Sequence, residues 1–383
     1  MNPTEETGLN GVFASLPRID ALPLQLREIY ESLGYKKYVM GKFEPYDVYL
    51  QNRSFLKNEG IITFTDPRGR LMALKPDVTM SIVKNTSPDT VTKKLFYCEN
   101  VFRADSSSRE CKEISQMGLE YIGGEDMYAE SEVVRLALKS LRAISEEFVL
   151  DLSNIGFVDG LFSALGLDEA QRALASAALE QKSAHALAGV AREAALSEAD
   201  AARLVGLREL AGDFVPVLAR ARQLAGGEQQ MNAALDELER LYEVLAAIEM
   251  TDHVQLDFSV MNDVDYYNGL IFRGYVSGVP RAVLAGGRYD NLMRRCGKPQ
   301  AALGFAVYLG ELDRFLREEP HYDVHTLLVY GNARPGLTAR AVETLGYGCD
   351  EVMAVKFRPR DLRAQHLYVL AEDGRIMEVD ADA

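Results

Sequence analysis

Two segments with strand character flank one long helical segment, and that order constrains the fold more than any single motif does. Residues 151–250 are rich in Ala, Leu and Glu, with apolar side chains recurring at helical spacing, as packed amphipathic helices require. Ser197-Glu198-Ala199-Asp200 has the form of a capping box at the start of one such helix, and Gly226-Gly227 breaks the run before another resumes. Ahead of this block, Ile61-Ile62-Thr63-Phe64-Thr65, the turn Asp66-Pro67-Arg68-Gly69 and Leu71-Met72-Ala73-Leu74 predict a hairpin. Lys94 to Tyr97, Val101-Phe102 and Met117 to Ile122 predict further strands, and Val254 to Phe258, Leu270 to Val276 and Arg281 to Leu284 predict more beyond the helices. Strands on both sides of a helical block imply one sheet completed around an insertion.

The expected fold is therefore α+β, an antiparallel sheet with flanking helices. Its first part spans 1–150 and its second part 251–320, with a mainly helical insertion at 151–250 and a small α/β domain at 321–383. In that last segment the pattern reads strand, helix, strand, with Thr326 to Tyr330 and His366 to Leu370 the clearest strands. A domain so short is marginally stable alone, so it is expected to pack on a neighbour or a partner.

Charge narrows the function. A net charge of -15 and no long basic run, only isolated pairs such as Lys93-Lys94 and Arg294-Arg295, argue against broad nucleic-acid binding. A local basic groove remains compatible with that total. Cys98, Cys111, Cys296 and Cys349 form neither a CxxC pair nor a metal-ligand spacing, so no metal and a reduced, cytoplasmic chain are expected. No apolar stretch has the roughly 18 residues of a membrane span, and the N-terminus, with Glu5 and Glu6, lacks the form of a signal peptide.

Several short segments carry polar groups at suggestive spacing. They are Leu74-Lys75-Pro76-Asp77-Val78-Thr79; Phe102-Arg103-Ala104-Asp105 followed by Ser115-Gln116-Met117-Gly118-Leu119-Glu120; Asp265-Tyr266-Tyr267-Asn268-Gly269; and Ala285-Gly286-Gly287-Arg288-Tyr289-Asp290 followed by Gly304-Phe305-Ala306. Taken singly, each reads as surface charge or as core tyrosines with satisfied hydroxyls. In this order, with a helical insertion after the second, they resemble the catalytic domain of histidyl-tRNA synthetase over roughly residues 15–320. The resemblance implies a class II aminoacyl-tRNA synthetase-like fold.

It also implies a binding site. An amino acid with an imidazole side chain needs carboxylates or amide oxygens for its ammonium group and a polar slot for its ring. By resemblance, Asp77, Thr79, Gln116 and Glu120 fall where the synthetase holds the amino group of histidine or its surroundings, Arg103 is kept, and Tyr266, Tyr267 and Tyr289 fall where the imidazole slot is lined. Gly286 and Gly287 would let the backbone come close to the ligand. Asp77 is a carbon shorter than the glutamate usual in the family.

Other positions depart from the family pattern, and all in one direction. Asn262 stands where the synthetase has an arginine before its DYY signature, beside Asp263; Glu311 stands for an arginine against the ATP phosphates, and Tyr308 for a glycine that leaves room for the nucleotide. Asp313-Arg314 lies on another helix face. In the loop before Gln116, a phosphate-contacting arginine becomes Glu110, with Arg109 next door, and the aromatic that stacks on adenine becomes Ile114. If each oxyanion-type contact is worth about 3 kcal/mol, losing two or three lowers turnover by several powers of ten.

A site that holds an amino acid but does not activate it suits sensing. In this the chain resembles the family of ATP phosphoribosyltransferase regulatory subunits, as does Gly156-Phe157-Val158-Asp159-Gly160-Leu161-Phe162 at the start of the insertion. That resemblance implies no catalytic residues and no cofactor, a homodimer within a hetero-octamer containing the short-form catalytic subunit, histidine as effector, and no tRNA or membrane partner. It places the chain in the first step of histidine biosynthesis and its feedback inhibition. Two other readings stay open, an active histidine:tRNA ligase with unusual motifs and a free-standing amino-acid-binding module. The effector site, either the synthetase-like pocket or the contact with the catalytic subunit, also stays open.

Overall fold

The computed structural model describes residues 16–50, 59–87, 91–105, 110–124, 126–261, 267–316, 322–346, 351–359 and 361–379. They fall into two compact units divided between residues 317 and 318.

In the first unit the strands are β1 (Lys36–Lys37), β2 (Phe43–Pro45), β3 (Glu59–Ile61), β4 (Thr63–Thr65), β5 (Leu71–Leu74), β6 (Lys93–Asp105), β7 (Cys111–Ile122), β8 (Phe148–Asn154), β9 (Ala211–Asp213), β10 (Val254–Asp257), β11 (Leu270–Val276), β12 (Leu284–Arg288) and β13 (Ala302–Tyr308). The helices are α1 (Arg18–Glu31), α2 (Asp47–Leu50), α3 (Val78–Asn85) and α4 (Met127–Ile144), then α5 (Ile155–Ala164), α6 (Glu169–Glu180), α7 (Ala184–Glu193), α8 (Glu198–Gly206), α9 (Phe214–Ala225) and α10 (Gln229–Ala247), and finally α11 (Asp290–Arg295) and α12 (Leu309–Leu316). One sheet runs β1-β6-β7-β13-β12-β11-β8-β10-β9, with β3 also on β6. Its pairings are antiparallel except β1 with β6 and β8 with β10. The sheet thus joins strands from before and after the helical block, and it reaches into 151–250 through β8 and β9.

Period-two alternation sorts the two faces. Met117, Leu119 and Tyr121 of β7, with Leu303, Phe305 and Val307 of β13, join Leu22, Leu26 and Tyr30 of α1 and the apolar side of α4 in the largest core, which extends into the insertion. The opposite face carries a smaller core of Tyr97, Val101, Ile122, Tyr289 and Ala302 under α3 and α11.

Some expected elements moved. The run Ile61 to Thr65 divides between two sheets: Ile61 pairs with Arg103, whereas Thr63 to Thr65 form the hairpin with Leu71 to Ala73. Arg281 to Leu284 is not the strand; β12 starts at Leu284 and continues through Gly286 and Gly287. Glycines normally weaken a strand, but here close packing of neighbouring strands fills the space where their side chains would be. Ser197 caps α8, accepting from the Asp200 amide at 3.1 Å, but its hydroxyl donates to the Asp200 carboxylate at 2.8 Å, so the back-bond to its own amide that defines a capping box is not made. Both bonds of such a box occur at Asp168 and Gln171.

The second unit has β14 (Val324–Val329), α13 (Pro335–Leu345), β15 (Val352–Val355), β16 (Ala364–Leu370) and β17 (Ile376–Val379), with strand order β15-β14-β16-β17. The two strands the sequence pattern missed, β15 and β17, are short, half-exposed edges without alternation.

One buried ionic group ties α4 to β12. Arg288 donates from Nη1 to Glu130 of α4 at 2.6 Å and from Nε to Asp290 at 2.8 Å. Burial, and then the neighbouring Glu237 of α10, push the Glu130 carboxyl up, while Arg288 pulls it down. Removing one partner of a buried pair leaves the other uncompensated, so Arg288→Met is expected to cost about 3–5 kcal/mol in urea unfolding. A loss below ~1 kcal/mol would show that the pair is not a structural tie.

Candidate functional site

Strand register lays the predicted residues on a grid. One row across the sheet reads Glu120, Gly304, Gly287, Ile271. The next reads Tyr97, Gly118, Ala306, Ala285, Arg273, and a third Glu99, Gln116, Tyr308. The middle of the first two rows is entirely Gly or Ala. Three side chains use the space this leaves: a Cβ at Gly304 would collide with the Glu120 carboxylate, one at Gly287 with the Tyr267 ring, and one at Gly118 with the Tyr97 hydroxyl. Ala285 and Ala306 stay partly exposed although they lie on central strands. The sheet face there is a cleft floor, bordered by half-buried Tyr267, Tyr308 and Arg273.

Glu120 is the most unusual group in it. Its carboxyl is buried, accepting from the Thr79 hydroxyl at 2.5 Å and from the Tyr289 hydroxyl at 2.6 Å. Burial pushes it up to about 8, with Asp77 adding to the shift and the two hydroxyls opposing it. At neutral pH it is thus mainly a carboxylic acid with a proton to offer. Burial also raises the Tyr97 and Tyr267 phenols, so both stay neutral.

The loop after β12 is fixed by Asp290, which accepts from Ala302 N at 2.9 Å, Asn268 Nδ2 at 3.2 Å and Arg288 Nε at 2.8 Å. Tyr289 between them donates its amide to Ala302 O at 2.8 Å. These bonds hold Tyr289 over Glu120.

Other expected residues take different places. Asp77 is the N-cap of α3: its Oδ1 accepts from Met80 N at 2.7 Å, and Arg103 lies 3.5 Å from Oδ2. Arg103 also donates from Nε to Pro76 O at 2.7 Å. Asp77 is therefore engaged locally, which its short side chain allows. Gln116 is buried beside Tyr308 on the cleft face. Gly286 lies on the other face, where a Cβ would meet Phe272 and Phe305, so of the glycine pair only Gly287 faces the cleft.

Tyr266 and Asn262, with Asp263, Asp265 and Arg109, lie outside the described residues. Glu110 is exposed ahead of β7, and Ile114 packs against the smaller core. Glu311 sits on α12, 3.3 Å from exposed Arg281. Sequence reasoning assigned no role to Tyr97, Gly118, Gly304, Asn268 or Asp290. All but Tyr97 belong to the quoted motifs, and the glycines could have been found by aligning alternate residues of β7, β12 and β13.

Known proteins match this architecture. The histidyl-tRNA synthetase family profile matches residues 14–312. The ATP phosphoribosyltransferase regulatory subunit of Clostridium novyi is 30% identical, with 76% of this chain and 71% of that protein covered. That of Clostridium kluyveri is also 30% identical, with 80% and 81% covered. A solved ATP phosphoribosyltransferase regulatory subunit/histidyl-tRNA synthetase from Bacillus halodurans superposes with a TM-score of 0.75 at 25% identity, covering 88% of each chain. Histidyl-tRNA synthetase from Nostoc gives 0.73 at 17% identity over 95% of this chain and 93% of that one, a likeness of fold.

The raised carboxyl has a measurable consequence. A carboxyl shifted from its ordinary 4.5 to about 8 contributes stability that is full below about 4.5 and lost as pH rises through 8. Relative to Glu120→Gln, which does not titrate, the unmodified chain should lose a few kcal/mol between roughly pH 5 and 9 in urea unfolding. Parallel pH curves for the two proteins would contradict the assigned ionisation.

Proposed function

Because this chain belongs to the histidyl-tRNA synthetase family, and within it to the ATP phosphoribosyltransferase regulatory subunits, we propose that it is the non-catalytic regulatory partner of a short-form ATP phosphoribosyltransferase. It is required for the first step of histidine biosynthesis and conveys feedback inhibition by histidine. The observation that carries the effector half of this reading is the cleft around Glu120.

Thr79 and Tyr289 fix the Glu120 carboxyl, which meets an imidazole nitrogen either as donor or, once ionised, as acceptor. Tyr267, stacked over Gly287, bounds the ring slot. Histidine bound there favours the low-activity arrangement of the complex; a coupling of roughly 1–3 kcal/mol changes affinity about 5- to 150-fold.

The nucleotide half supports the same reading. Tyr308 places a ring at the edge of the cleft floor, and Glu311 carries the wrong charge for a phosphate. On this reading the ATP site has lost its function and tRNA is not a partner. The chain works in the cytoplasm as a homodimer within a hetero-octamer.

Adding the chain to the isolated catalytic subunit should produce a stable complex and raise phosphoribosyl transfer, and histidine should then inhibit it. Tyr267→Ala should weaken that inhibition roughly tenfold or more, a loss of about 1.4 kcal/mol. Full histidine sensitivity in the variant would move the effector to the subunit contact. Failure to associate at micromolar concentration, or robust histidine-dependent ATP-pyrophosphate exchange, would favour a free-standing binding module or an active ligase instead.

A further inference from the structure

Amino-acid recognition needs three chemistries, and the cleft as described supplies two. On the reading above Glu120 answers an imidazole, and Gln116, buried on the same face, offers its amide oxygen to an ammonium group. The carboxylate needs a cation. Lys75 is buried against Glu99, Arg288 is committed to Glu130 and Asp290, and Arg103 is held at the start of α3 by Pro76 O and Asp77.

We infer that Arg273 receives the α-carboxylate of the amino acid in this cleft, and so makes the cleft select the intact amino acid over its decarboxylated amine. The inference rests on the histidine-binding reading above and deepens it. Arg273 is the end of the floor row, directly across from partly exposed Ala285, and opposed residues on paired strands bring their side chains within contact range. It lies two residues from Ile271 on the same face, and Ile271 packs with Tyr267. Three strand spacings separate β11 from β7, roughly 14 Å, with Glu120 on the far strand. The guanidinium acts electrostatically on the Tyr267 phenol, opposing the burial that raises it.

Arg273 is engaged in the structure, and one of its partners is a solvent-exposed carboxylate. Arg273 Nη2 donates to Met261 O at 2.8 Å and to Glu180 at 3.0 Å. The Glu180 side chain, the last residue of α6, is 46% exposed against 25% for Arg273, so water screens that ion pair. Asp151 stands across from Arg273 on β8, its carboxyl pushed up to about 6 by burial and by Asp257, with Lys182 and Arg273 opposing. A ligand carboxylate can therefore take the place of Glu180 on Nη2.

Calorimetric titration of the full chain with histidine and with histamine tests this, because the two differ only in the carboxylate. The unmodified chain should prefer histidine by about 10- to 100-fold, the range of one charge-assisted contact. Arg273→Met should abolish the preference while leaving histamine binding unchanged, Arg273→Lys should restore part of it, and Glu180→Gln should strengthen histidine binding alone by a few-fold. An unaltered ratio in Arg273→Met, or an equal loss for both ligands, overturns the assignment and leaves the cleft reading standing. No binding of either ligand to the unmodified chain overturns both.

Discussion

The bond on which the site depends is the pair of hydroxyl contacts that hold the Glu120 carboxyl inside the sheet face. Thr79 comes from α3, Tyr289 from the turn after β12, Glu120 from β7 and the room it occupies from Gly304 on β13. Four separate parts of the chain therefore meet at one carboxyl group. Burying it costs free energy that two hydrogen bonds return only in part, which is why its proton stays on to about pH 8.

On the proposed reading, the same sheet face lets one scaffold serve both amino-acid activation and amino-acid sensing. Small residues in adjacent strands let side chains lie flat, so the floor is set by backbone register and survives substitutions at its rim. On this reading the chain departs from the synthetase pattern at the edge of that floor, where Tyr308 stands. On the proposed reading, the amino-acid end rests on buried, mutually bonded groups that are costly to alter, whereas the nucleotide end relied on exposed cations, which change at little cost to stability.

Much of this was legible in the sequence because motif residues are local. Leu270 to Val276 forms a strand with the limits its pattern gave, and Thr79, Gln116, Glu120, Tyr267, Gly287 and Tyr289 do converge on one face. What was not legible depends on register, which no single segment carries. Gly286 and Gly287 look equivalent in sequence, yet alternation sends one to the Phe272 and Phe305 core and the other to the cleft. Tyr97 looked like an ordinary strand tyrosine until pairing with Gly118 placed its hydroxyl against the floor. Asp77 matched a ligand-binding position, but the start of α3 needed a cap, and the shorter side chain serves that need.

On the proposed reading, regulation requires the cleft to be mechanically connected to parts that can meet a partner, and the packing around Tyr289 supplies one contiguous route. Its neighbours Arg288 and Asp290 are bonded to each other, Arg288 reaches Glu130 of α4, and Glu130 lies beside Glu237 of α10, which accepts from Asn154 at 2.6 Å. Movement of Tyr289 against Glu120 would therefore load a buried charge network shared with the insertion. Such a network tolerates few intermediate geometries, since a half-broken buried ion pair costs more than either a made or a fully replaced one. That property favours two discrete arrangements over gradual deformation, the condition under which occupancy of a small cleft can shift the population of a large assembly.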